Sequence, residues 1–345
     1  MKDRTIINLV SGKGGAGKTL FAAVLAEMLG SNGYETLVID LDAFVRGLTS
    51  LLYFHKQGAL NLIEKNQFTV SDIFLAKNKS SLEGQEIAIS RYLSFDVVPS
   101  VSRVDKILDF KDLMPDTKDE AFYILNQLLQ SIPDKYEFII LDSRAGYDEL
   151  IASTHRVSDI SICIEEEDDI SRITTENLIR QLQKDSDNPL FRIINKATSA
   201  KSLQDLTSTS SITELGRIPF DMDIMRGFGG VRFWEETERS LFKAALGHVW
   251  NNLCLKLAIN KEVRVSRISP LGSESAESKL QMLSLKDRII FVYGLIFCVL
   301  GFGSSFLGAE RLYYLLKNPL EFLPILVGFL GMIMSVLVVL KGKSK

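Results

Sequence analysis

Eight residues near the start of the chain, Gly12-Lys13-Gly14-Gly15-Ala16-Gly17-Lys18-Thr19, fit the pattern G-x-x-x-x-G-K-[ST]. A chain of this length and composition would produce such a match by chance about once in a hundred sequences. The residue types suit one task, holding a polyphosphate. Glycines let backbone N–H groups turn inward around phosphate oxygens, and a helix starting at the loop adds the positive end of its dipole. Lys18 is placed to reach the β- and γ-phosphates, and the Thr19 hydroxyl to ligate Mg2+. Gly12, Gly14, Gly15, Ala16, Gly17, Lys18 and Thr19 are therefore the expected phosphate-contacting residues.

Carboxylates stand where later apolar runs end. Val38-Ile39-Asp40-Leu41-Asp42 offers a pair, one able to hold the water shell of a magnesium ion and the other to orient an attacking water. Phe138-Ile139-Ile140-Leu141-Asp142-Ser143 has the form of a Walker B strand, with Asp142 expected to hold Mg2+ through water. Thr19, Asp40 and Asp142 are the expected metal set. Asn195-Lys196 closes another run. A guanine site would want N-K-x-D, and Thr198 stands where that aspartate belongs. Adenine is therefore favoured, with Asn195 on the base and the Lys196 stem packing over it. The expected ligands are ATP and Mg2+.

These residues need a scaffold that ends its strands at one edge. Ile6–Val10 reads as a strand and Lys18–Ser31 as a helix; Thr36–Asp40, Phe95–Pro99, Phe138–Asp142, Asp159–Ile164 and Phe191–Asn195 read as further strands. Short, β-branched, nearly continuous apolar runs separated by helical stretches indicate a parallel sheet covered on both faces. The fold class is thus α/β, a parallel doubly wound P-loop NTPase sheet flanked by helices. Glu235–Leu257 reads as one amphipathic closing helix, with His248 and Trp250 as packing residues.

Beyond it the composition changes. The expected division is an ATPase domain over 1–258, a flexible Ser/Gly-rich tether over 259–285, and a transmembrane helical hairpin over 286–345. Ile289–Ala309 holds 21 residues without a charge and Phe322–Leu340 holds 19. At about 1.5 Å per residue these give roughly 32 and 28 Å, near the bilayer core of about 30 Å. Spans of about 289–309 and 320–340 follow. Lys279, Lys286 and Arg288 precede the first, and Lys341, Lys343 and Lys345 follow the second. The positive-inside bias puts both termini and the ATPase domain on the cytoplasmic side of the inner membrane.

The second lysine in the loop, Lys13, makes it a KGGxGKT sequence that resembles the deviant Walker A motif of the MinD/ParA family. In that family the extra lysine reaches across a nucleotide-sandwich dimer to the partner's phosphates, so the resemblance implies that role for Lys13 and a homodimer across ATP. Asp40-Leu41-Asp42 followed by Gly47-Leu48-Thr49 looks like the family's switch segment. It implies that Asp42 positions water and Asp40 supports the site, making Lys13, Lys18 and Asp42 the catalytic set. Gly146 matches the switch glycine of D-S-P-A-G, whose N–H can sense the γ-phosphate, but Arg144 replaces the proline. Arg144 reads as a surface ion pair rather than a charge-stabilising finger. Gly216-Arg217-Ile218-Pro219-Phe220-Asp221 resembles a G-x-I-P-x-D segment whose backbone, Pro219 included, borders the adenine. The resemblance covers about residues 1–257. It is weakest at Glu165–Asp169 (EEEDD), where a proline is expected and which reads as a solvated loop.

Composition excludes several classes. The 345 residues carry a net charge of −3, so general nucleic-acid binding is not indicated. A DNA contact would need a local patch such as Lys261, Arg264 and Arg267, equally placed for anionic lipid. Cys163, Cys254 and Cys298 form no C-x-x-C pair, which argues against a zinc site or a disulfide framework. The run Ile6–Val10 is too short for a signal peptide. The reading is a membrane-anchored, slow, Mg-dependent, partner-stimulated ATPase that switches by dimerising and recruits or positions an unknown protein partner. The alternatives are a tyrosine-kinase-like module, which the tail KGKSK does not suit, and a DNA-partitioning module.

Overall fold

The structure is a computed structural model, and it describes residues 4–264 apart from 59, 65, 199–211 and 231. The described residues lie within one compact unit, Met1–Pro270. Its centre is built from β-branched runs that form β1 (Thr5–Val10), β2 (Thr36–Asp40), β6 (Phe95–Val98), β7 (Phe138–Asp142), β8 (Ile160–Glu166), β9 (Leu190–Ala197) and β10 (Thr213–Pro219). With β5 (Ser90–Tyr92) they make an eight-stranded sheet in the order β10-β9-β8-β1-β7-β2-β6-β5. Every pairing is parallel except β5 with β6, which is antiparallel. The edge strand β10 pairs with β9 through two breaks in register, at Glu214/Gly216 and at Arg217/Pro219. The remaining strands, β3 (Gln67–Phe68) and β4 (Glu86–Ile87), form a small separate pair.

Alternation along the strands explains the layers, because successive side chains point to opposite faces. On β7, Phe138 and Ile140 join one core while Ile139 and Leu141 join the other. On β2, Val38 joins the first and Leu37 and Ile39 the second. The first core is closed by α1 (Lys18–Ser31), α2 (Gly47–His55), α9 (Phe233–Glu238) and α10 (Leu241–Leu257). The second is closed by α3 (Val70–Ala76), α4 (Phe110–Leu113) and α5 (Lys118–Gln130). Nearby, α6 (Glu149–Val157) and α7 (Asp169–Asp185) pack Ile151, Leu178, Ile179 and Leu182 against Val10 and Cys163. The short α8 (Met222–Gly227) lies between β10 and α9. The strand ends carrying Asp40, Asp142 and Asn195 are thereby fixed in a covered parallel sheet.

The structure departs from several expectations. The closing helix is two helices, because Ser240 leaves the helical path and its side chain caps Lys243 N–H at the start of α10. Trp250 is buried as expected, but His248 is exposed. The acidic run is no free loop: Glu165 and Glu166 end β8, Asp168 caps α7, and the carboxylates are paired. Of the expected tether, the described residues 259–264 include two that bond to α10. Trp250 Nε1 donates to Lys261 O at 2.9 Å, and Asn251 exchanges two hydrogen bonds with Val263. Lys261 pairs with Glu137 at 2.6 Å, so it is spent on the domain rather than on a basic patch. The transmembrane hairpin expected over 286–345 lies outside the described residues. Among those described, no helix is long and apolar enough to cross a membrane.

Candidate nucleotide site

The loop between β1 and α1 owes its path to glycine. Gly15 (φ +82°) and Gly17 (φ +94°) take left-handed conformations that other residues resist, and Gly17 leads into the first turn of α1. A Cβ on Gly12 would stand 2.4 Å from the backbone carbon of Thr174, so the loop begins in direct contact with α7. At Gly14 and Gly15 a Cβ would meet nothing within 4 Å. The loop is therefore packed on its inner side and open on its outer side, the shape a phosphate cradle requires.

Lys18 is buried, and its ammonium donates to Ser11 Oγ at 2.8 Å. Burial lowers its pKa, while the charges of Asp142 and Asp42 oppose that effect. Asp142 is 1% exposed, and both its carboxylate oxygens are buried without a hydrogen-bond partner in the structure. Burial first, and Asp40 next, push its pKa up to about 8; Thr19 and Lys18 act against the shift. Asp40 is its register partner on the adjacent strand. Asp142 and Asp42 act on buried Lys18, and Asp40 acts on Asp142, so three carboxyls share this corner with one buried lysine. A divalent cation would suit this cluster of carboxyls and the orphaned Asp142 oxygens, and Thr19 and Asp142 are the residues that could hold it. Among the described residues no cluster of three His, Cys, Asp or Glu could hold a metal alone, so the ion would share its shell with phosphate and water.

Asp40 is drawn into a structural role. Its Oδ2 accepts from Thr49 N at 2.9 Å, Thr49 Oγ1 at 2.7 Å and Ser100 Oγ at 3.4 Å, and its Oδ1 accepts from Asp42 N at 3.2 Å. Burial raises its pKa to about 6 against those bonds. The network ties α2 to the end of β2, and the start of α2 presses on the loop: a Cβ on Gly47 would stand 2.6 Å from Thr19 Cγ2. Asp42 is half-buried and accepts from Val45 N at 3.0 Å, holding the exposed turn of Phe44 and Val45. On the opposite flank Gly146 (φ +88°) donates its N–H to Ser11 O at 2.9 Å, so the second switch is anchored under the loop. Arg144 pairs with Asp148 one helical turn on, which is the ion pair expected, although both side chains are largely covered. Tyr147 joins Lys118 and Asp185, linking this switch to the far end of α7.

The expected base-binding residues do something else in this structure. Asn195 Nδ2 donates to Ala16 O at 2.8 Å and lies against Gly17. Lys196, in a left-handed conformation (φ +54°), donates to Gly15 O at 2.8 Å and pairs with Glu166. Both therefore brace the phosphate loop; Pro219, the other residue expected near the base, ends β10 alongside Ala197. Lys13 neither projects into solvent nor stands free. Its ammonium lies 2.6 Å from Glu166 and 2.8 Å from Asp168, which raises its pKa. The sequence reading missed Ser11 and Ser100, small polar residues that carry no motif of their own, and it placed Thr49 in the switch segment without its bond to Asp40. It also missed the pairing of the acidic run, for which the basic residues of the loop and of β9 were the available signal.

A family model described as an AAA domain matches residues 4–189. An ATP-binding protein of uncharacterised function from Methanocaldococcus jannaschii is 26% identical over 156 residues, covering 45% of this chain and 50% of its own length. The chain spans about half the length of that relative and of two other curated relatives. Among solved structures, the septum site-determining protein MinD of Pyrococcus horikoshii, complexed with Mg-ADP, superposes with a TM-score of 0.56 at 21% identity. That alignment covers 77% of this chain and 100% of the other. A plasmid partition protein of Borrelia burgdorferi superposes with a TM-score of 0.52 at 20% identity, over 73% and 99% of the two chains. The glycine-shaped loop, the orphaned Walker B aspartate and the matched family model agree: the chain belongs to the AAA-domain family and carries the MinD/ParA type of P-loop fold.

Proposed function

We propose that this chain is a Mg-dependent ATPase that works as a dimer switch, pairing two copies across ATP and releasing them on hydrolysis. The observation that carries the reading is the combination of a second loop lysine, Lys13, with a Walker B carboxylate, Asp142, whose oxygens are buried and unpartnered. Lys18 and the loop amides would bind the triphosphate, and the half-buried Asp42 would orient the attacking water. Mg2+, held by Thr19 and Asp142, would supply charge neutralisation at the phosphates. Asp40 sets the position of Asp42 and α2. Adenine is favoured over guanine because Thr198 stands in place of a base-reading aspartate.

The charge-free runs near the C-terminus give this switch a permanent seat. We propose that they anchor the ATPase domain on the cytoplasmic face of the inner membrane, where ATP governs pairing and recruitment of a protein partner rather than membrane residence. Similar folds serve both septum placement and plasmid partition, at TM-scores of 0.56 and 0.52, so the fold does not choose between a protein cargo and DNA. The net charge of −3 and the commitment of Lys261 to Glu137 favour the protein cargo. The test uses the solubilised full chain carrying Asp42→Ala, with ATP and Mg2+, in sedimentation velocity. A dimer that requires both ligands supports the reading, and a monomer at every concentration refutes it. Hydrolysis by the unaltered chain should be slow and Mg-dependent.

A further inference from the structure

We infer that Glu166 and Asp168 are positioning residues that hold Lys13 in cis and thereby set how readily two copies pair on ATP; the inference rests on the dimer reading above. The two carboxylates come from different structural contexts. Glu166 is the last residue of β8, and Asp168 is the cap of α7. They converge on one ammonium, at 2.6 and 2.8 Å. The contact raises the pKa of Lys13, and both carboxyls are held below their usual range, Glu166 by Lys13 and Lys196 and Asp168 by Lys13 and the Ser171 N–H. A lysine that must reach a partner's phosphates is thus already bound twice by its own chain.

The hold is built to be exchangeable. The side chains of Lys13, Glu166 and Asp168 are 29%, 15% and 40% exposed, so solvent weakens each pair and neither carboxylate pays the full cost of burial when Lys13 leaves. Glu166 has a second cation, Lys196, on its other oxygen, and Lys196 also donates to Gly15 O in the phosphate loop. When Lys13 departs, Glu166 remains paired. Asp168 remains engaged as well, because its Oδ1 accepts from Ser171 N at 2.8 Å. Neither acid is stranded, so departure of Lys13 costs only the two partly screened ion pairs. A bound triphosphate on a second copy can outbid them, whereas an empty partner cannot.

Asp168→Asn separates this role from folding, since asparagine caps a helix as well as aspartate does and keeps the bond to Ser171. Two readouts on the full solubilised chain test the inference. One is the acetylation rate of Lys13 in the nucleotide-free protein, followed by mass spectrometry against Lys184 as internal reference. The other is the concentration at which half the chains are dimeric with AMPPNP and Mg2+. Both Asp168→Asn and Glu166→Gln should raise the labelling rate, and each should lower the half-dimer concentration about two- to fivefold, as expected for one partly exposed ion pair. Unchanged labelling in both variants, with normal dimers, would overturn the cis hold while leaving the dimer reading intact. Faster labelling with unchanged pairing would also overturn the inference. Absence of dimers from every chain, the unaltered one included, would remove the dimer reading and this inference with it.

Discussion

Asp142 stands where stability and ligand binding oppose each other, and Asp142→Asn should expose that opposition. The carboxyl is 1% exposed and pairs in register with Asp40 on the next strand, and burial, with Asp40 next, pushes its pKa up to about 8. The folded chain therefore keeps this proton to higher pH than the unfolded chain does. Stability from this group is greatest at low pH and falls as pH rises from about 4 to about 8. At about 1.4 kcal/mol per pKa unit, the burden at pH 7 is roughly 4 kcal/mol at most. Asparagine removes the charge but leaves a buried amide, which costs about 1–3 kcal/mol when unpaired. The net expectation is a nucleotide-free variant more stable by about 1–3 kcal/mol at pH 7, or roughly 2–8 °C in melting temperature. Its pH dependence should be flatter than that of the unaltered chain, with a residual slope from Asp40 and Glu165, which titrate at about 6 and 7. Mg·ATP should raise the melting temperature of the unaltered chain and leave the variant almost unmoved. Thermal unfolding by circular dichroism between pH 5 and 8, with and without ligand, measures all of this. A variant less stable than the parent at pH 7.5, or one stabilised by Mg·ATP to the same extent, would refute the reasoning.

Other substitutions probe the supports of the site. Gly12→Ala puts a methyl 2.4 Å from the backbone of Thr174, so the loop must leave α7; a loss of about 1–3 kcal/mol with greatly weakened ATP binding should appear in chemical denaturation and in nucleotide titration. Thr49→Val removes a buried hydroxyl that serves Asp40 at 2.7 Å and Ser100 N at 2.8 Å, which should cost about 1–3 kcal/mol and slow hydrolysis more than it weakens binding. Arg144→Ala loses its pair with Asp148, and because that pair commits the guanidinium to the cap of α6, turnover should fall less than tenfold while thermal stability drops. A fall of a thousandfold would instead mark Arg144 as a charge-stabilising finger.

The parts of this molecule that were legible in the sequence are those where local chemistry and position coincide. β2, β7 and α1 fall on the residues the sequence assigned, because β2 and β7 are short apolar runs closed by a motif aspartate and α1 is opened by the motif residues Lys18 and Thr19. The loop glycines, Lys18 and Asp142 lie together as their spacing demanded. What the sequence did not reveal depends on pairing across distance. Asn195 and Lys196 were read as base contacts, yet their donors meet carbonyls of Ala16 and Gly15 some 180 residues earlier in the chain. The acidic run looked solvated because nothing local marks Lys13, Arg192 and Lys196 as its partners. The helix break at Ser240 was hidden in a continuous amphipathic pattern, where a single serine cap outweighed periodicity.

The two ends of the sheet also limit how copies of this chain can associate. Strand addition needs a straight row of unused backbone donors and acceptors. β10 interrupts that row twice, bends at Gly216 and finishes on a proline that has no N–H to offer. At the opposite margin β5 runs only three residues and reverses direction. Among the described residues neither border is a usable template, which steers self-association away from open-ended stacking and toward a closed, finite encounter made by side chains and loops.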